Sequence, residues 1–235
     1  MEHEPAAATT GPDKTDTLHE QVYRNLREAI MLGRFQPGQA LTIRGLSETL
    51  GTSMMPAREA LRRLVAERAL DLLANRRVTV PSVTPQAFAE LVEARVALES
   101  LAARQAFPFV DDALADRMED IDLQQDAAIE ARDWAAYQER NFAFHFALYA
   151  HAPGDVLVPL IESLWLRLGP FLHLTRQNLG RTYLVDRHKE AVAAIRKRDC
   201  DALVQAIEQD IRDGMANLPK LADGNGRADS GPTVA

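Results

Sequence analysis

Between residues 43 and 66 the chain carries two short amphipathic stretches separated by one glycine, and few folds accept that pattern. In IRGLSETL, the apolar Ile43, Leu46 and Leu50 recur at three- and four-residue spacing, the mark of a helix with one buried face. Gly51 follows where a helix stops, because glycine takes the left-handed conformation there without strain. The second stretch, MMPAREALRRLVAER, predicts a helix over 54–68. Pro56 sits in its first turn, where a missing N–H is harmless, and Ser53 or Thr52 stands ready as a cap. Ala57, Leu61, Leu64 and Val65 face inward, while Met54, Arg58 and Arg62, spaced four apart, form an outward stripe. Helices this short are marginal in water, so they must pack on their neighbours.

Those neighbours are legible on both sides. Leu18, Val22, Leu26, Ala29 and Ile30 share one face of a helix predicted over 17–32, which Gly33 stops and Pro37-Gly38 turns. Downstream, Leu70–Leu73 and Val78–Val80 bracket Ala74-Asn75-Arg76-Arg77, the pattern of a β-hairpin with a basic tip. Two short helices around a tight turn, followed by a hairpin, make a winged helix-turn-helix, and strands are expected only in the wing. The N-terminal part of such a second helix enters the DNA major groove, which puts Ser53, Met54, Met55 and Arg58 near base edges and Arg62 behind them. Arg58 could take a guanine by its O6 and N7, and the methionines could pack on thymine methyls. Arg44 opens the preceding helix, where guanidinium and helix N-terminus can both address a phosphate. Arg76 and Arg77 at the wing tip could follow the minor groove or its phosphates.

The overall charge of −7 argues against a nucleic-acid partner, but its distribution reverses that reading. Residues 18–83 hold ten Arg against six acids, a net +4, whereas residues 84–221 hold fifteen Lys and Arg against twenty-two acids, a net −7. A basic front on an acidic body touches a polyanion with the front only. The single cysteine, Cys200, excludes an internal disulfide and fits a reducing compartment. No apolar run reaches the roughly 18 residues of a membrane span, and no secretion signal opens the chain, so a cytoplasmic protein is expected.

Residues 1–17 and 222–235 have no periodic apolar pattern and read as disordered tails. Between them, PSVTP at 81–85 marks a joint between the 18–83 domain and a second domain over 84–221. The second domain is helical throughout, with about six helices near 85–106, 111–131, 133–151, 156–178, 182–198 and 200–218, so the class is mainly α. Polar groups stand in the apolar faces of three of these helices. Asn141 and His145 lie four apart on the face of Tyr137, Phe144 and Leu148. His188 lies in the face of Val185, Val192 and Ile195, and Asp210 beside Leu203, Ile207 and Ile211. Leaving each buried and unpaired would cost about 1–3 kcal/mol. Either they hydrogen-bond one another, or a divalent metal satisfies all four together.

Residues 22–80 resemble the GntR family of bacterial regulators, through VYRNLREAIMLGRFQPGQAL, LSETLGTSMMPAREALRRL and the hairpin. The resemblance implies a homodimer reading a short palindrome, with Arg44 and Arg58 where DNA-contacting arginines fall. Met54 departs from the Arg common at its position, and Asn75-Arg76-Arg77 from the usual Arg-Gly pair of the wing. Residues 85–218 resemble the FCD effector domain of the FadR-like branch, through EARVALES, NFAFHFALY and RHKEAVAAIRKRD. Many relatives hold a metal through an Asp four residues before the first His, that His, a second His, and a third His 22 residues later. Here those positions are Asn141, His145, His188 and Asp210, two nitrogen and two oxygen donors that suit zinc, manganese or iron. The resemblance also puts Arg95 in a pocket for a small carboxylate effector, with His173 and Arg176 as further candidates. Arg95 is equally placed to pair with Glu99 on its own helix. Three functions remain open: an effector-gated transcription factor, an effector-free dimeric repressor, and a helical metalloenzyme with a DNA-binding head. No spare nucleophile, phosphate loop or paired carboxylates near Asn141 support the last.

Overall fold

A computed structural model describes residues 17–175 and 186–216 of the chain. Helix α1 spans Leu18–Met31, α2 spans Ile43–Thr49 and α3 spans Met54–Ala66. Thr17 and Thr42 cap α1 and α2 by accepting the N–H of Glu20 and Gly45. Neither predicted cap serves α3: Ser53 holds the N-cap position without accepting a helix N–H, and the Thr52 hydroxyl is buried without a partner. Gly51 turns the chain between α2 and α3 at φ +60°. Ala57, Ala60, Leu61 and Leu64 of α3 bury against Val22, Leu26 and Ile30 of α1, the faces that periodicity assigned.

The sheet has one strand more than the hairpin supplies. Strands β2 (Asp71–Leu72) and β3 (Val78–Thr79) form the wing, and β1 (Ala40–Leu41) joins β3 from the other side, all antiparallel. The expectation of strands in the wing alone is therefore corrected. A two-residue strand carries no period to read, and it exists because Gly38 donates to the Val80 carbonyl and the Gln39 carbonyl accepts from Val80.

Among the described residues six helices follow: α4 Pro85–Ala106, α5 Asp112–Glu130, α6 Trp134–Tyr149, α7 Leu157–Thr175, α8 Arg187–Arg196 and α9 Cys200–Met215, with a 3-10 turn at Phe107–Phe109. Thr84, Asp111, Asp133, Asp186 and Asp199 cap five of them, each accepting the backbone N–H three residues on. His151 meets the Ala147 carbonyl at 3.0 Å at the end of α6. Helix α5 packs on α6 and α8, and α9 packs on α4 and α8, so α6, α8 and α9 turn their polar core residues toward one interior. The mainly α class stands: a small sheet-and-helix region followed by a bundle of about six helices.

The two regions are joined through α1 and α7. Gly169 makes the approach possible: a Cβ there would lie 2.2 Å from the Ile30 carbonyl oxygen and 2.6 Å from that of Met31. Ion pairs flank the seam, Arg27 to Glu162 at 3.1 Å and Arg34 to Glu139 at 2.6 Å.

Candidate functional site

The first candidate surface is basic and lies on the outer side of α3 and the wing. Ser53, Met54, Met55, Arg58 and Arg62 are all exposed, the two methionines at 58% and 65%. The methionine pair leaves an apolar patch on the outer face of a helix whose other face is core. Arg58, Arg76 and Arg77 have no carboxylate within ion-pair distance among the described residues, and Arg62 has only Glu59 at 4.0 Å. Arg44 is exposed and tied to Glu48 at 2.8 Å, a surface pair worth little and easily exchanged for a phosphate. The wing tip is held in shape: Arg76 takes φ +62°, and the Arg77 N–H donates to the Asn75 side-chain oxygen at 3.1 Å.

The second candidate lies inside the bundle. His145, His188 and Asp210 bring one ligand atom each within 4.8 Å of one another. Both histidines are buried, and Asp210 is largely so. Nε2 of His145 is 3.1 Å from Oδ2 of Asp210, and Nε2 of His188 is 3.7 Å from Oδ1. Outer partners fix both rings. Nδ1 of His188 meets the Asp122 carboxylate at 3.0 Å, so that nitrogen must carry the proton. Nδ1 of His145 meets the Tyr149 hydroxyl at 3.1 Å. Tyr149 already gives its only proton to Glu99 at 2.8 Å, so His145 must donate at Nδ1 as well. Each neutral ring then turns a bare Nε2 lone pair toward a carboxylate, and the Nε2 of His188 has no hydrogen-bond partner.

Lone pairs facing a carboxylate repel unless a cation lies between them. Protons can supply it: burial would lower the His188 pKa, but the Asp210 charge and the Asp122 hydrogen bond outweigh it and raise the value. Burial alone would raise Asp210, yet His188 and His145 hold its carboxyl down to about 2. A divalent ion can supply the cation equally, and imidazoles oriented by a carboxylate and a phenol are the usual support for one. Asn141, one turn before His145 on α6, is half-buried and joined to these three by no hydrogen bond.

Arg95 is buried and bound to Glu99, Nε to Oε1 at 2.6 Å, the same-helix pairing that its spacing allowed. Glu99 is fully buried and also accepts from Trp165 Nε1 at 3.0 Å, while the Arg95 guanidinium lies 4.3 Å from the Trp165 ring centre. His173 falls in the last turn of α7 with its side chain outside the described residues, and Arg176 lies outside them entirely. Asp122, Tyr149 and Trp165 escaped the sequence reading. Tyr149 could have been found, since it stands four residues after His145.

Known families match both regions of the chain. Residues 18–80 match the model of the bacterial regulatory proteins of the gntR family, and residues 90–213 match the FCD domain. The transcriptional regulator McbR of Escherichia coli is 30% identical over 213 residues, covering 89% of this chain and 96% of McbR. The E. coli McbR/YncC structure superposes with a TM-score of 0.81 at 27% identity, covering 88% of this chain and 99% of that one. The repressor RspR of E. coli is 26% identical over 90% of this chain and 93% of its own length. A regulator structure from Rhodococcus sp. RHA1, at 24% identity and a TM-score of 0.68, shares the fold over 85% of this chain and 96% of its own. Regulators of this kind are DNA-binding transcription factors and not enzymes, and among the described residues no helix is long and apolar enough to cross a membrane. The chain belongs to the GntR family of bacterial regulators, in the branch that carries an FCD effector domain.

Proposed function

We propose that the chain binds a palindromic operator as a homodimer, and that a small organic acid, held with the help of a divalent metal, gates that binding. Arg58, Met54 and Met55 read base edges from α3, and Ser53 and Arg62 lie alongside. Arg44, Arg76 and Arg77 take phosphates or the minor groove. These side chains are exposed, and the three unpaired guanidinium groups among them leave a strong local field for a polyanion.

His145, His188 and Asp210 hold the metal, zinc, manganese or iron, and Asn141, one turn before His145 on α6, is the candidate fourth ligand. Three protein ligands leave coordination open to an effector carboxylate. Arg95 supports that end of the site through Glu99 and Trp165, and His173 and Arg176 remain candidate effector contacts. One observation carries the metal reading: two buried histidines, each with its Nδ1 proton committed elsewhere, aim Nε2 at one carboxylate.

A footprint on the upstream region of the protein's own gene, repeated with candidate carboxylic acids and with a chelator, tests all three parts. Protection that an acid shifts only in chelator-free buffer is the expected result. Protection indifferent to every acid would leave an effector-free repressor, and no protection would remove the DNA reading. Effector and operator must also change each other's affinity by the same factor.

A further inference from the structure

We propose that the cleft between α3, β1 and the wing is a second ligand site, built for a medium-chain alkyl carboxylate. The cleft encloses about 840 Å³, within the range of small-molecule sites. Its wall is apolar: Leu61 and Val65 from α3 face Leu72 and Val78 from the wing, and Leu72 is 59% exposed. Its rim is cationic on both sides, with Arg58 and Arg62 from α3 and Arg76 and Arg77 from the wing, and no acidic residue lines it.

Charge complementarity and shape select the occupant. A carboxylate head satisfies the guanidinium groups of Arg58, Arg76 and Arg77, which have no carboxylate partner among the described residues, in the two-point geometry arginine favours. An alkyl tail covers Leu72, which is 59% exposed, and the half-buried Val65 and Val78 beside it. A phosphodiester strand does the first and not the second, because it is polar along its length. The tip is set before any ligand arrives: the Leu73 N–H donates to the Arg77 carbonyl at 2.9 Å, and Asn75 holds the Arg77 N–H at 3.1 Å. Because the head takes Arg58 and its neighbours, ligand and operator exclude each other. That consequence rests on the DNA reading above, while ligand binding itself does not.

The test is a titration of the full chain with decanoate, without DNA, by calorimetry and by methyl spectra of labelled isoleucines. Ile43 lines the cleft, whereas Ile161, Ile207 and Ile211 lie in the bundle core. Saturable binding at one site per chain is expected, with Ile43 shifted and the bundle isoleucines still. Ala66→Trp, which fills the cleft from the end of α3, should weaken binding at least tenfold. So should Leu72→Glu, which charges an exposed position and leaves the core intact. No binding, shifts confined to the bundle isoleucines, or wild-type affinity in a folded variant would overturn the site. If binding holds but operator fails to compete, the site stands and the exclusion of DNA falls.

Discussion

Arg27 of α1 reaches two carboxylates from opposite regions of the chain: Glu162 of α7 at 3.1 Å and Glu67, just past the end of α3, at 3.7 Å. Three residues beyond Glu162, Trp165 donates to the buried Glu99, so the end of α3 and the bundle interior share one chain of contacts. The Arg27 pairs are partly exposed, so their strength is modest. In a double-mutant cycle of Arg27→Ala and Glu162→Ala, urea unfolding should give a coupling of about 0.5–1 kcal/mol. Strict additivity would mean that the pair contributes nothing to the seam.

Gly169 should be irreplaceable at that seam. A Cβ would stand 2.2 Å from a backbone oxygen of α1, and backbone cannot rotate aside as a flexible side chain can. Gly169→Ala should destabilise the protein by about 2–3 kcal/mol despite the better helix propensity of alanine. Denaturant midpoints compared at constant slope provide the measurement, and an unchanged midpoint would refute the close contact.

On DNA the arginines should separate into two kinds. Arg58→Ala should cost about 1–3 kcal/mol and relax preference at one base position. Arg77→Ala should weaken all sequences alike and reduce the salt slope of binding by about one. Anisotropy titrations over a range of salt concentrations distinguish the two. A uniform loss from Arg58→Ala would demote it to a phosphate contact.

The metal reading predicts about one ion per chain by elemental analysis, lost from His188→Ala and from His145→Ala. Asn141→Asp adds a carboxylate one turn before His145 and should tighten the metal by roughly tenfold or more in a chelator competition. Looser binding in that variant would place residue 141 outside the coordination sphere.

Tyr23 gives a test in alkali. Burial, with the hydrogen bond to Glu67 at 2.5 Å, pushes its phenol up to about 12. Below the ordinary tyrosine value near 10, both folded and unfolded chains keep this proton and the contribution is complete. Above it the unfolded chain ionises first, so stability declines as pH rises from 10 toward 12. Tyr23→Phe should flatten that decline, and an equal slope in both proteins would assign it to other groups.

Much of this was written in the order of residues. The period of Leu46, Leu50, Ala57, Leu61 and Leu64 gave two helices and their inner faces, Gly51 gave the turn, and the opposite stripe gave the basic surface. Periodicity also put His145, His188 and Asp210 inside, because a helix repeats every 3.6 residues whatever it packs against. A helical period says which way a side chain leaves its own helix, and nothing about what arrives from another. Hence β1, the Asp122 partner of His188, the commitment of the Tyr149 proton to Glu99, the choice of Glu99 as the partner of Arg95, and the fit of Gly169 on Ile30 were decided by tertiary structure alone. Each depends on distances between residues far apart in the chain or on competition among neighbours, which only packing resolves.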